Sequence, residues 1–568
     1  MNVLGIAHDI WISSAALLRD GEIVSAVCEE RLNRQKKSKA FPGQSIDMCL
    51  EIAGLGMDDL DLVVCGWNPA QHLEGLHSRH SGTARFRPEY LYAVPNYLLQ
   101  KATRFPLGVV EERFTGFKAP IVHVDHQLAH AANAFFLSPF DSAAVLTADG
   151  RGERQTALFA HADSTGIHPL NDVLFPHSLG LFYGMITQYL GFVPDNDEWK
   201  VMALAAYGSA AGNKFYPVLR RMFEVREDGS FRLDLSMCGF HEFEVYGGRF
   251  YTQDFVDAVG IPPRRRGEPI RTEHHDLAWA LQQVFEEVMT AGLIALAKTT
   301  EAAQLVLADG CMMNSVYNGK ITSCTPFTDV FVSSCPDDSG ISVGAAFWGY
   351  HEWAKQGKRV AHEHNYWGPG YDHEIEEMLK KHKIQYVTLQ NPSATAARLI
   401  SEGKLVGWFQ GRMEFGQRAL GNRSILADPR KAESKTLIND TVKYREPFRP
   451  FAPAILADRV GEYFEVDGTG RSRFMERVYK FRDEVKQLVP SVVHADGTGR
   501  LQTVERESNA RFYDLIAEFN SITGVPIVLN TSFNLNKEPI VCTPVDAIRT
   551  FYSCGLDVLI MGDYIITK

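Results

Sequence analysis

Residues 143–153 read AAVLTADGRGE, and residues 304–314 read QLVLADGCMMN. Each is a short apolar run that ends in Asp-Gly, and such runs bounded by a turn signal predict buried strands. A carboxylate at the exit of a buried strand, as Asp149 is here, stands where open α/β sheets place functional groups. A third strand entering a glycine-containing turn is read near Gly5, in VLGIAH (3–8). The recurrence is what two related α/β lobes with a nucleotide between them would give, and it suits α/β enzymes in general as well.

Outward from these runs, SSAALL (13–18) and EIVSAVCEE (22–30) flank Asp20-Gly21, a strong hairpin signal. Further strands are predicted at DLVVCGW (61–67), IVHVDH (121–126), ALFAHA (157–162) and VFVSS (330–334). Leu277, Leu281, Val284, Val288 and Leu296 recur at helical spacing over 274–298. Gly-Pro-Gly at 368–370 and the surface helix EIEEMLKKHKIQY (374–386) mark a junction, dividing the chain into 1–365 and 366–568. Beyond it LVGWFQG (405–411), FAPAIL (451–456) and GVPIVLN (524–530) predict a second α/β unit.

The 568 residues suit two large domains, and 45% hydrophobic with 22% charged residues is globular composition. A net charge of −11 disfavours a general nucleic-acid partner, no run is long enough to span a membrane, and no secretory signal opens the chain. Nine scattered cysteines without a CxxC pair predict reduced thiols in a cytoplasmic protein.

Four constellations carry chemistry. His126 and His130, in HQLAHAANAFF, are an i, i+4 pair on a predicted helix and can grip one ion; two polar residues on a helix surface are the plainer reading. Asp149 and Asp338, the latter in CPDDSG (335–340), add oxygen donors to a mixed set suited to Fe²⁺, Mn²⁺ or Zn²⁺. The turns DGRGE, ADG and DDSG offer backbone N–H groups to phosphate, although none is a P-loop or a dinucleotide fingerprint. Between Arg412 and Arg449 nine Lys/Arg face five acids, interleaved with Phe415, Leu420, Phe448 and Phe451; this predicts a walled pocket for a small phosphate, with a solvated charged face as the alternative. LNTSFN (529–534) could add hydroxyl and amide donors to that anion. His8, before Asp9, is a candidate general base towards an alcohol.

Together these residues resemble the O-carbamoyltransferase family that includes the tobramycin-type, cephem and nodulation-factor enzymes. The matching blocks run in order along nearly the whole chain: HQLAHAANAFF, AAVLTADGRGE, SLGLFY, EWKVMALAAYG, NSVYNGK, DDSGISVGAA, GRMEFGQRALGNRSILADPR, KYREPFRPFAPAIL, SVVHADGTGRLQTV and LNTSFNLNKEPIV. The resemblance implies an actin-like ATPase-type N-terminal domain, similar to the tRNA threonylcarbamoyl transferase subunit, and a YrdC-like α/β C-terminal domain. It also implies that carbamoyl phosphate and ATP (with Mg²⁺) give carbamoyl-AMP in the C-terminal domain, and that the N-terminal domain passes the carbamoyl group to a hydroxyl of a small molecule. Carried over by position, His126, His130, Asp149 and Asp338 would hold a metal, Fe²⁺ first, with Mn²⁺ or Zn²⁺ as alternatives. Gly150, Gly152, Lys200, Gly310 and Asn314 would surround the nucleotide. Arg418, Lys443, Arg449, Asn530, Thr531 and Ser532, with Arg423 and Arg500, would hold carbamoyl phosphate. His8, Arg418 and Arg449 would be catalytic.

Two departures stand out. Ile10-Trp11-Ile12 lengthen the loop after His8, and Asp309-Gly310 replaces the family's Gly-Gly, adding a carboxylate that bears on ribose contacts or metal preference. An actin-like kinase would explain the glycine turns but leave the arginines unemployed; a metallohydrolase and a non-catalytic nucleotide-binding subunit are further readings. The acceptor could be an aminoglycoside, a macrolide or ansamycin, a nucleoside or a sugar, with Trp67, Tyr90, Tyr92, Trp199 and Tyr246 as candidate lining.

Overall fold

The computed structural model describes residues 1–8, 10–68, 113–114, 116–241, 248–360, 362–446, 448–466, 468 and 470–568. Its first sheet contains β1 (Asn2–Ala7), β2 (Ser14–Arg19), β3 (Glu22–Cys28), β4 (Leu62–Cys65) and β5 (Ile121–His123), in the order β3-β2-β1-β4-β5. Arg19 pairs with Glu22 across a two-residue loop, and Asp20 and Gly21 both have positive φ, at 50° and 86°. That is the loop whose twist matches a hairpin, as the Asp-Gly signal predicted.

The second sheet contains β6 (Ala143–Ala148), β7 (Gln155–Asp163) and β8 (Gly166–Leu174). A small hairpin, β9 (Phe223–Val225) and β10 (Phe231–Leu233), stands apart, and β11 (Gln304–Ala308) and β12 (Asp329–Val332) complete the sheet in the order β12-β11-β6-β7-β8. In both sheets the first three strands run antiparallel and the last two parallel to the first. The second lobe therefore repeats the topology of the first, which is the doubled architecture of the actin-like ATPase-type fold. The all-buried pattern of β6 follows from its place at the sheet's centre.

Between the sheets lie two helices, His126–Leu137 and Ile341–Trp348. Gly5 corrects the sequence reading: it lies inside β1 rather than in a turn. A Cβ there would overlap the carbonyl oxygen of Ser342, so its bare Cα lets β1 lie against the Ile341–Trp348 helix. The predicted long helix spans Thr272–Thr300 and buries Leu277, Leu281, Val284, Val288 and Leu296 in the second lobe's core.

From Val387 onward ten strands form one mixed sheet: β13 (Val387–Thr388), β14 (Val406–Phe409), β15 (Arg423–Ala427), β16 (Ala452–Leu456), β17 (Phe464–Glu465), β18 (Arg477–Phe481), β19 (Thr498–Val504), β20 (Ile527–Ser532), β21 (Val558–Met561) and β22 (Tyr564–Thr567). β20 lies between β15 and β16, and helices Pro392–Ser401 and Ala510–Thr523 cover the sheet. β15 falls in the stretch read from sequence only as a basic region. The junction segment hydrogen-bonds to both halves: Ala26 N donates to Trp367 O (3.2 Å), and Arg412 Nε donates to Gly368 O (3.0 Å). Among the described residues no helix is long and apolar enough to cross a membrane. All nine cysteines are free thiols, and eight are buried.

Candidate metal and anion centres

His126 and His130 lie on one face at the start of the His126–Leu137 helix, their rings edge to face with centroids 4.7 Å apart. Glu153 sets the helix origin. Its buried carboxylate accepts hydrogen bonds from His126 N (3.1 Å) and Asn68 N (2.7 Å), placing a carboxyl at the positive end of the helix. Burial pushes that carboxyl up to about 7. No local pattern in DGRGE marks Glu153 for this place; the fold brings it to the start of the helix. Gly152 has no room for a side chain without crowding the His126 ring at 3.1 Å.

The β6, β11 and β12 exits bring carboxylates to these rings. His126 Nε2 is 3.5 Å from Asp149 Oδ2 and 3.9 Å from Asp338 Oδ1; His130 Nε2 is 3.3 Å from Asp309 Oδ1 and 3.6 Å from Asp338 Oδ1. One donor atom from each of His126, His130, Asp309 and Asp338 falls within 4.8 Å of all the others, and all four residues are buried. Asp149, read as a ligand, stands beside His126, and Asp309, read as an extra carboxylate bearing on ribose contacts or metal preference, is in the tight group.

Both ring nitrogens of both histidines, and Asp309 Oδ2, are buried without a hydrogen-bond partner among the described residues. Buried polar atoms without partners are costly. Donors about 2.1 Å from a shared ion lie about 3–3.5 Å from one another, so the observed spacings fit a metal cage better than a hydrogen-bond network. Burial pulls the His126 imidazolium down, but Asp149, Asp338 and Asp309 outweigh it and drive it up to about 10. Burial lowers His130 and raises the Asp309 carboxyl, and the two imidazoles hold Asp338 below the usual range against its own burial. The cluster as a whole attracts positive charge. Trp11 N donates to Asp338 Oδ2 (3.2 Å), so the lengthened loop after His8 reaches this cluster. His8 is buried, with Phe41 edge-on at 5.5 Å.

The nucleotide candidates divide. The Gly150 turn meets the start of the Leu179–Tyr189 helix, where Ser178 Oγ donates to Gly150 O (2.6 Å), and a Cβ on Gly310 would overlap Asp149 Oδ1. Asn314 is committed elsewhere: its amide forms a reciprocal pair with Gln282 (3.0 Å each way) and caps the next turn at Tyr317 N. Lys200 lies at the boundary between the halves, paired with Asp197 (3.1 Å) and Glu446 (3.2 Å).

In the C-terminal half Arg418, Lys443, Arg445, Arg449 and Arg500 form a cation group. Burial first, and then Arg418, Arg445 and Arg449, pull the Arg500 guanidinium well down; burial followed by Arg445, Arg449 and Lys36 does the same to Lys443. Arg418 and Arg449 are each brought to about 10, again mainly by burial. Lys443 Nζ contacts Ser532 O (2.5 Å), Asn534 O (3.0 Å) and Asn534 Oδ1 (2.8 Å). Asn530 Nδ2 donates to Gln502 Oε1 (2.8 Å) while its Oδ1 has no partner among the described residues, and Thr531 is half-buried beside it on β20.

Arg423 is not brought into this group. Fully buried on β15, it donates to the carbonyls of Gln410 (2.6 Å), Gly411 and Asn422 and stacks 3.6 Å from the Phe409 ring centroid. Its charge serves the sheet. Asp9, Tyr90, Tyr92 and Tyr246 lie outside the described residues.

The two centres adjoin. Asp337, next to Asp338, accepts a hydrogen bond from Gln417 Nε2, and Arg418 follows Gln417 in the chain; Arg31 Nη2 donates to Gly416 O (2.8 Å). Arg449 stacks over Trp199 of the N-terminal half at 3.9 Å.

Two topologically matched lobes of actin-like type, a buried imidazole–carboxylate cluster between them and a cation-rich α/β half against it define an α/β enzyme of two centres. Residues 2–347 match the family model of the carbamoyltransferase N-terminus, and residues 397–568 match that of the carbamoyltransferase C-terminus. The chain belongs to the carbamoyltransferase family and is a carbamoyltransferase. It is 34% identical to a Synechocystis protein over 100% of this chain and 97% of that one. It is 36% identical to nodulation protein NolNO of Sinorhizobium fredii, over 99% of this chain and 79% of the relative. Among solved structures, HypF of T. kodakarensis aligns with 62% of this chain and 48% of its own at 13% identity and a TM-score of 0.34.

Proposed function

We propose that this carbamoyltransferase is an ATP-dependent O-carbamoyltransferase acting on a hydroxyl of a small molecule. In the cation group carbamoyl phosphate is hydrolysed to carbamate and phosphate. Carbamate attacks the α-phosphorus of ATP (as its Mg²⁺ complex), releasing pyrophosphate and forming carbamoyl-AMP. The acceptor oxygen then attacks the carbamoyl carbon, AMP departs with the bonding electrons, and the hydroxyl proton passes to a base.

The observation that carries this reading is the abutment of the two centres through Asp337 and Gln417. A labile anhydride made beside Arg418 has a short path to the His126–His130 helix, with buried residues around it to limit hydrolysis. Arg418, Arg449 and Arg500 supply fixed positive charge to a small dianion in a dry setting, where each is worth more than in water. A divalent ion held by His126, His130 and Asp338, with Asp149 and Asp309 beside them, would supply Lewis acidity and charge neutralisation. Fe²⁺, Mn²⁺ and Zn²⁺ all suit two imidazoles with carboxylates. His8, at the exit of β1, takes the role of base towards the acceptor alcohol.

The acceptor belongs to a range that takes in aminoglycosides, macrolides or ansamycins, nucleosides and sugars. The test is incubation with carbamoyl phosphate, ATP and a divalent metal, analysed by mass spectrometry. Carbamoyl-AMP and pyrophosphate are expected; ADP as the nucleotide product would instead make the chain a kinase. His8→Ala should still form carbamoyl-AMP yet fail to transfer it, and loss of both steps or of neither would remove His8 from the role.

A further inference from the structure

Asp309 is the most constrained residue near the metal-type cluster. It has no exposed surface, its Oδ2 has no hydrogen-bond partner among the described residues, and its Oδ1 lies 3.3 Å from His130 Nε2. Its backbone sits at φ 91°, ψ 170°, a region that is essentially glycine's own. An Asp in that conformation costs on the order of 1–3 kcal/mol, and burying a carboxylate costs more. Neither cost is offset by a local bond that the fold needs. Asp309 Oδ1 does accept from Gly310 N (2.8 Å), but a glycine at 309 would leave that single turn amide beside a polar cluster at little penalty, while relieving the backbone.

The turn is held open for the side chain from both ends. Asp309 N donates to Pro336 O (2.5 Å), tying the β11 exit to the β12 exit that bears Asp338. A Cβ on Gly310 would meet Asp149 Oδ1, so the glycine leaves that carboxylate its place beside His126. The backbone therefore turns so that the carboxylate at 309 lies beside His130 while the one at 149 lies beside His126.

We propose that Asp309 is itself a ligand of the metal held by His126, His130 and Asp338, and that the strained turn delivers this carboxylate to it. With Asp149 beside His126, the centre then offers two imidazoles and three carboxylates. More oxygen donors and one more negative charge favour ions that accept five or six ligands, Mn²⁺ and Fe²⁺, relative to four-coordinate Zn²⁺. This rests on the metal reading made above.

The test compares the full chain with Asp309→Gly and Asp309→Asn, measuring Mn²⁺ and Zn²⁺ binding by calorimetry and metal-free thermal stability. The wild type should bind both ions. Asp309→Gly should lose about 10–100-fold in Mn²⁺ affinity, on the scale set by altering a metal's supporting carboxylates. It should lose less for Zn²⁺, and its metal-free form should melt above the wild type. Asp309→Asn, which keeps the backbone requirement, should lose affinity without the full gain in melting temperature. Unchanged affinities for both ions in Asp309→Gly would overturn the proposal. So would a loss of binding that only follows a destabilised metal-free fold. If the wild type binds neither ion, the metal reading itself fails.

Discussion

An arginine taken out of water keeps its charge, so it must find acceptors or sit in a site that waits for an anion. Arg423 and Arg500 take these two courses. Arg423 spends its donors on carbonyls of Gln410, Gly411 and Asn422. Arg500 has a buried Nε without a partner among the described residues, and other cations hold its basicity down after burial has done so. Replacing each by Gln should therefore act in opposite senses. Arg423→Gln leaves several buried carbonyls unsatisfied and should destabilise the fold by about 3 kcal/mol. Arg500→Gln relieves like-charge crowding, so it should keep or raise the melting temperature in plain buffer. It should also lose the added stability that inorganic phosphate gives the wild type, about 1.4 kcal/mol at ten times the dissociation constant. Thermal melts with and without phosphate check both variants, and a stabilised Arg423→Gln or a phosphate response kept by Arg500→Gln would reverse the assignment. Only the resemblance gave the two arginines the same role, for Arg423 stands in the basic run 412–449 and Arg500 outside it. Only strand direction separates them: β15 turns Arg423 into the sheet's own interior.

At the scale of elements, the cluster depends on how closely two helices approach. Gly344, in the Ile341–Trp348 helix, sits against the His126–Leu137 helix where a Cβ would overlap Ala129 O, with Ala129 C (2.7 Å) and Asn133 N (3.0 Å) also too near. These are backbone atoms one turn or less from His130, and they cannot swing aside as a side-chain tip could. Gly344→Ala should push the helices apart, cost about 3 kcal/mol, and weaken metal binding along with stability. Gly357→Ala, where nothing among the described residues lies within 4 Å of the added atom, serves as the control. Melting and metal titration of the two variants decide the matter; a Gly344→Ala protein that melts and binds like the control would show that the approach is not critical. The elements themselves were legible in the sequence. Apolar runs ending in Asp-Gly located β6 and β11, and the i, i+4 histidines located the helix, because these are local patterns with local causes. The partners were less so. Glu153 as the helix cap and Asp309 in the cluster depend on which strand ends the sheet order places side by side and on one unusual φ. No local spacing encodes either.

The whole molecule joins two halves whose centres meet at Asp337 and Gln417, with Arg449 stacked over Trp199 and Lys200 paired with Glu446 along the same boundary. The block order of the sequence showed that both halves belong to one protein, but the contacts across them link residues tens to hundreds of positions apart and could only be seen folded. If an activated carbamoyl group is made against one half and used against the other, the boundary is part of the reaction path. An intermediate that stays inside one molecule cannot be shared with another. His126→Ala should disable transfer while sparing the cation group, and Arg449→Ala should disable activation while sparing the His/Asp cluster. Mixed in equal amounts with carbamoyl phosphate, ATP, metal and a competent acceptor, the two variants should yield no more carbamoylated product than either alone, because the first releases no usable intermediate and the second receives none. Recovery of product in the mixture, rising with protein concentration, would mean that carbamoyl-AMP diffuses freely between molecules and that the adjoining centres are not a passage. Absence of recovery with each variant still folded, and with His126→Ala still forming carbamoyl-AMP, would place the transfer within the boundary between the halves.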